Sequence, residues 1–128
     1  NVGINARLQW LQYSALRDRV RQGEIAFNFM AWGSGSVNDA SASVSYFFKG
    51  GPDDTTLDPQ VIEALTEADS SVDPEVRQRA YARALTRIAQ ESYKVPVMSY
   101  AYYYAMAADL EFEPTPDEVT HLYTARWR

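Results

Sequence analysis

Apolar residues alternate with polar ones at the start of the chain: Val2, Ile4, Ala6, Leu8 and Trp10 share one parity, and Asn5, Arg7 and Gln9 take the other. A period of two predicts a strand with one wet face. Residues 11–21 carry Leu16 and Val20 four apart among Arg17, Arg19 and Arg21, and Gly23 follows as a stop, which predicts a short amphipathic helix. Residues 25–31, Ile-Ala-Phe-Asn-Phe-Met-Ala, are nearly continuous in apolar character, as in a strand covered on both faces. Strand, helix, strand predicts a right-handed parallel crossover.

Residues 33–57 are rich in Ser, Gly, Asp and Thr, with Val44, Tyr46, Phe47 and Phe48 as an apolar island and Gly50-Gly51-Pro52-Asp53 as punctuation. This reads as loop, short helical piece, loop. Asp58-Pro59 and Asp73-Pro74 each pair a capping carboxylate with proline at the first helical position, so each predicts a helix start. The first helix runs to about residue 68 with Val61, Ile62 and Leu65 on one side. The second runs to about residue 93 with Val76, Ala80, Tyr81, Ala84, Leu85 and Ile88 at threes and fours. Pro96 then biases Val95 out of the helical region. Residues 97–106, with tyrosines at 100, 102, 103 and 104, predict a long strand, and Pro114 and Pro116 a turn. The resulting expectation is an α/β fold: a small mixed sheet centred on a parallel βαβ unit of residues 3–32, with the helices from Pro59 and Pro74 packed on it.

The chain has 128 residues, 46% of them hydrophobic, which is enough for one domain with a core and excludes a disordered or low-complexity chain. Seventeen acidic residues against twelve basic give a formal net charge of −5, which argues against a nucleic-acid partner. With no cysteine there is no disulfide framework, thiolate nucleophile or thiolate metal site. No segment reads as a spanning helix or a signal peptide. The start at Asn1 without methionine, two residues from a predicted strand, leads us to expect a processed or excised piece of something longer.

The chemistry that these residues offer is binding rather than catalysis. Trp32-Gly33-Ser34-Gly35-Ser36-Val37-Asn38-Asp39 follows the second predicted strand, and a polar loop with one aromatic at a strand's C-terminal end is where open α/β sheets hold ligands. A tryptophan there is also a common core cap. The only histidine, His121, lies in the tail, and Gly33-Ser34-Gly35-Ser36 is not the Gly-x-Ser-x-Gly elbow. A small serine hydrolase using Ser34 or Ser36 with His121 is the alternative from another class; a module that self-associates through the tyrosine-rich strand and Trp127 is a third. No calcium loop, P-loop or dinucleotide pattern is present, so no metal or cofactor is expected. Asp53 and Asp54 read as solvating a turn. Arg79, Arg83 and Arg87 read as a solvated stripe pairing with Glu75 and its neighbours, and Tyr100, Tyr102 and Tyr104 as one packed sheet face.

The order of several loose motifs resembles the C-terminal part of bacterial extracytoplasmic solute-binding proteins of the peptide, nickel and oligosaccharide type, which serve ABC importers. The residues that carry the likeness are Gly3-Ile4, Trp32-Gly33, the polar loop leading to Tyr46-Phe47-Phe48, and Leu65 to Ala68 ahead of Asp73-Pro74. Tyr81-Ala82-x-Ala84-Leu85 and Tyr93-x-Val95-Pro96-Val97 complete it, and the likeness covers almost the whole chain. It implies residues 1–128 as part of one lobe of a periplasmic-binding-protein-like fold, lacking the N-terminal lobe that would be its partner across a hinge. It further implies capture of a small solute, peptide or oligosaccharide-like, in the periplasm, delivery to an inner-membrane ABC permease, and no catalysis. Trp32, Ser34, Ser36, Asn38 and Asp39 are the ligand-binding candidates. Peptide binders of this family carry an acidic residue three places after the tryptophan, where this chain has Gly35; a peptide's ammonium then lacks its usual partner, with Asp39 as a displaced carboxylate or a polyhydroxylated solute as the other choice.

Overall fold

The computed structural model describes residues 3–33, 37, 39–115 and 119–128. Its order of elements is α1 (Tyr13–Arg21), α2 (Val44–Phe48), α3 (Pro59–Ser70), α4 (Pro74–Gln90), β1 (Leu110–Glu111) and β2 (Arg126–Trp127), with single 3-10 turns at Ala40–Ala42 and Leu122–Thr124.

The helices form where the local signals require. Asp58 Oδ1 accepts the amides of Gln60 and Val61, and Asp73 Oδ1 those of Glu75 and Val76, while Pro59 and Pro74 stand at positions whose N–H would otherwise be orphaned. Helix α1 stops at Gly23, whose φ of 74° lets the Gly23 and Glu24 amides fold back on the Val20 and Arg19 carbonyls. Helix α4 ends in the same double return, Ser92 to Ala89 and Tyr93 to Ile88, but with Ser92 at φ 55° where glycine is usual. A non-glycine residue held there is strained. The following residue, Tyr93, is secured at its hydroxyl, which donates to Asp58 Oδ2 at 2.8 Å.

The core lies where α3 and α4 pair, with Phe48 of α2 against them: Phe48, Val61, Ala64, Leu65, Ala68, Ala80, Tyr81, Ala84 and Ile88. Leu65 and Val61 are fully enclosed, and the buried alanines set a close approach of the two helices. Leu85, part of the same apolar repeat, is 46% exposed, so the buried stripe is narrower than the periodicity implies. Asp54 belongs to this core edge rather than to a solvated turn. It is buried and accepts the amides of Gly50, Thr56 and Leu57 and the Thr56 hydroxyl, which closes the loop between α2 and α3.

The chain contains helices and a small sheet, but the parallel βαβ unit of residues 3–32 is not formed. Residues 4–12 and 28–33 are irregular and make no ladder, and Ile4, Leu8, Trp10, Phe27 and Phe29 stand exposed. Nor does a strand form over 97–106, where Val97, Met98, Tyr100, Tyr102 and Tyr103 are exposed, so the tyrosines do not share a sheet face; Tyr104 lies tilted against Phe112 at 5.8 Å. Helices α3 and α4 therefore pack on each other, not on a sheet. The physical reason is that a helix closes its hydrogen bonds within one segment, whereas a strand exists only with a lateral partner. Alternation and β-propensity mark a segment as fit for a half-buried surface without supplying its neighbour. Among the described residues the sheet is the antiparallel pair Leu110–Trp127 and Glu111–Arg126, in a region with no strand pattern; Arg128 on Glu111 at 2.9 Å reinforces it.

Candidate functional site

Trp32 is held by side chains rather than by a strand. Its ring stacks on Tyr46 with centroids 4.4 Å apart and meets Phe47 edge-on at 4.9 Å, and its indole N–H donates to the Ala42 carbonyl at 3.2 Å. Tyr46 and Phe47 are themselves edge to face at 5.0 Å. One turn of helix, α2, thus presents two rings that form a seat for the indole, while Phe48 on the same turn faces the core. Trp32 keeps 40% of its surface exposed, so it is not a sealed core cap. The indole is thus fixed and half-exposed, without the sheet that was to support it.

Of the other candidates, Ser34, Ser36 and Asn38 lie outside the described residues. Asp39 is described, and its carboxylate is occupied. It caps the turn at Ala40–Ala42 through the Ser41 amide at 2.9 Å, pairs with Arg77 at 2.5 Å, and faces the Tyr81 hydroxyl at 3.4 Å. The Ser41 amide and hydroxyl and the Arg77 charge hold this carboxyl below its ordinary value. Asp39 accordingly ties the end of the polar loop to α4. Beside it, Tyr81 donates to Asp69 at 2.6 Å, and Asp69 also receives Lys49 at 2.7 Å and the Ser45 hydroxyl at 3.2 Å. Burial and the Asp69 carboxylate push the Tyr81 phenol up to about 12. This network joins loop, α2, α3 and α4 with every charge partnered.

A second polar assembly, which no sequence motif marks, meets Tyr46 at its hydroxyl. Arg17 and Arg21 of α1 both grip Asp53: Arg17 at 2.8 and 2.6 Å, Arg21 at 2.9 and 2.8 Å. Arg17 also donates to the Tyr46 hydroxyl at 2.5 Å and lies 5.8 Å from that ring's centroid. The two guanidinium groups hold the Asp53 carboxyl far below its usual range, and that carboxylate in turn pushes Tyr46 up. Lys94 completes the group, its ammonium 3.1 Å from the centroid of Phe47 and 5.8 Å from that of Phe48. Lys94 is an exposed residue, yet its ammonium rests on the rings, and the loss of water there pushes the amine down despite the Asp53 charge. Nothing in the sequence beyond the adjacency of Asp53 to a Gly-Gly-Pro turn marks these residues.

The arginine stripe of α4 divides by position. Arg79 meets Glu75 at 3.6 Å in the exposed pairing expected, whereas Arg83 reaches Glu67 of α3 at 2.5 Å, and Arg87 joins Asp58 at 2.9 Å and Glu91 at 2.6 Å. Two of the three therefore brace the helix pair. His121 sits before the Leu122–Thr124 turn with Tyr123 at 5.4 Å, and the serines of the hydrolase alternative lie outside the described residues. Trp127 is exposed in β2. Among the described residues no three His, Asp or Glu converge as a metal set, and no helix is long and apolar enough to cross a membrane. A concavity of about 730 Å³ lies along β1 and β2 and shares no residue with the Trp32 group; it is wide open and crossed by the Arg128–Glu111 pair. No protein-family model, no curated protein and no solved structure matches this chain.

Proposed function

We propose that this chain is the ligand-binding lobe of an extracytoplasmic solute-binding protein, which captures a small solute in the periplasm for an inner-membrane ABC permease and performs no catalysis. The observation that carries the reading is Trp32: a half-exposed indole, fixed by Tyr46, Phe47 and the Ala42 carbonyl, at the head of a loop of small and polar residues. An aromatic held rigid by its neighbours gives a ligand a flat apolar surface at little cost in side-chain entropy. Ser34, Ser36 and Asn38 follow it in sequence as hydrogen-bonding partners for the solute, with Asp39 positioning the loop's far end.

The exposed apolar segments around Leu8, Phe27 and Tyr103 support the second half of the reading. Three strand-like stretches without ladders are what one lobe shows when the rest of its sheet is supplied by the remainder of a two-lobed protein. The test is mass spectrometry of small molecules released on denaturing the two-lobed protein purified from its native compartment. A solute is expected in stoichiometric amount and reduced at least tenfold by Trp32→Ala. Equal retention by the variant, or an empty wild-type protein, overturns the assignment.

A further inference from the structure

The charges around the aromatic seat point to the kind of solute. Arg17, Arg21 and Lys94 surround one carboxylate, Asp53, so this spot is locally cationic on a chain whose net charge is −5. The two arginines spend their planar faces of N–H groups on Asp53 and Tyr46, which fixes them as a positive background. Lys94 differs. It forms no ion pair among the described residues, and its ammonium lies against the face of Phe47, a ring that also meets Trp32 and Tyr46 edge-on. Lys94 is an exposed residue, so it is open to a partner from solvent.

We propose that Lys94 is an anion-recognising residue, receiving the carboxylate or other small oxyanion of a solute whose body lies against Trp32. The inference rests on the ligand-binding reading above and narrows it: a cationic peptide N-terminus meets repulsion here, and an organic anion meets a partly desolvated ammonium on an exposed residue. Asp39 does not reverse this sign, because its charge is neutralised by Arg77. Desolvation also favours the assignment, since an ammonium already stripped of part of its water loses less on receiving an anion.

Three probes that share a ring and differ in charge test it on this chain: benzoate, benzyl alcohol and benzylamine. The readout is the indole N–H resonance of Trp32, distinguished from those of Trp10 and Trp127 by Trp32→Phe. Benzoate is expected to shift that resonance at concentrations at least tenfold lower than the other two. Lys94→Gln is expected to abolish the difference while Lys94→Arg keeps most of it, and far-UV circular dichroism checks that both variants stay folded. Equal response to benzoate and benzyl alcohol, or benzoate affinity unchanged in Lys94→Gln, overturns the role of Lys94 and leaves the Trp32 platform standing. No response of Trp32 to any of the three overturns both.

Discussion

Replacing Leu65 by alanine tests where the stability of this chain resides. Leu65 is fully enclosed, and Ala64, Ala68, Ala80 and Ala84 are buried in the same core. Alanines have no length with which to follow a retreating side chain, and both helices are pinned at their starts by Asp58 and Asp73. The cavity left by Leu65→Ala therefore persists, which places the cost in the upper part of the usual range, about 4 kcal/mol. The packed unit from α2 to the turn after α4, residues 44–93, spans about fifty residues, for which a stability of roughly 3–8 kcal/mol is ordinary. The substitution removes half of that or more. With a urea dependence of about 1 kcal/mol per molar for a unit of this size, the unfolding midpoint seen by far-UV circular dichroism moves by several molar, close to zero denaturant. Leu85→Ala is the internal comparison: at 46% exposure it gives up about half of a leucine's burial, on the order of 1 kcal/mol. A Leu65→Ala cost below about 1.5 kcal/mol, or an equal cost at both sites, refutes the claim that the α3–α4 seam carries the fold.

Two further outcomes follow from the charged groups. Asp53→Asn removes the shared partner of Arg17 and Arg21, so backbone amides of residues 13–21 should exchange with deuterium far faster while those of α3 and α4 keep their protection; unchanged protection in α1 contradicts the clamp. The Asp58 carboxyl is held down at about 2 by the Tyr93 hydroxyl, Arg87 and the amides of Gln60 and Val61. Its folded value is depressed, so its contribution is complete above the unfolded value of about 3.9 and is lost as pH falls through the folded one. Acid titration should therefore leave the α3–α4 pairing intact at about pH 5 and loosen it between about pH 4 and 2, as followed by near-UV dichroism of the tyrosines. Loss already near pH 6 would contradict the assignment.

What was legible in the sequence was local. Asp-Pro starts, the Gly23 stop and the three-four spacing of α3 and α4 each act within a few residues, and each element stands within a few residues of where they place it. The strands were illegible because their decisive term is a partner elsewhere in space, and Ile4, Phe27 and Tyr100 carry no record of one. At the candidate site Trp32 was identifiable as the one aromatic ahead of a polar loop. Lys94 and Arg17 were not: each looks like an ordinary solvated cation until Phe47 and Asp53 are brought against it by segments 47 and 36 residues distant in sequence. Asp54 was misread for a related reason, since a buried acceptor and a wet turn residue have the same spelling.

The turn after α4 has a consequence of its own. Tyr93 reaches back to the carboxylate that starts α3, so the beginning of one helix and the exit from the other are buttoned together at a single atom, Asp58 Oδ2. The chain enters this clasp through Ser92, in a backbone shape it would not choose alone, and leaves it directly into Lys94. The aim of the ammonium over Phe47 is thus inherited from the helical hairpin, and any swing of the tyrosine-rich segment beyond residue 95 pivots downstream of it.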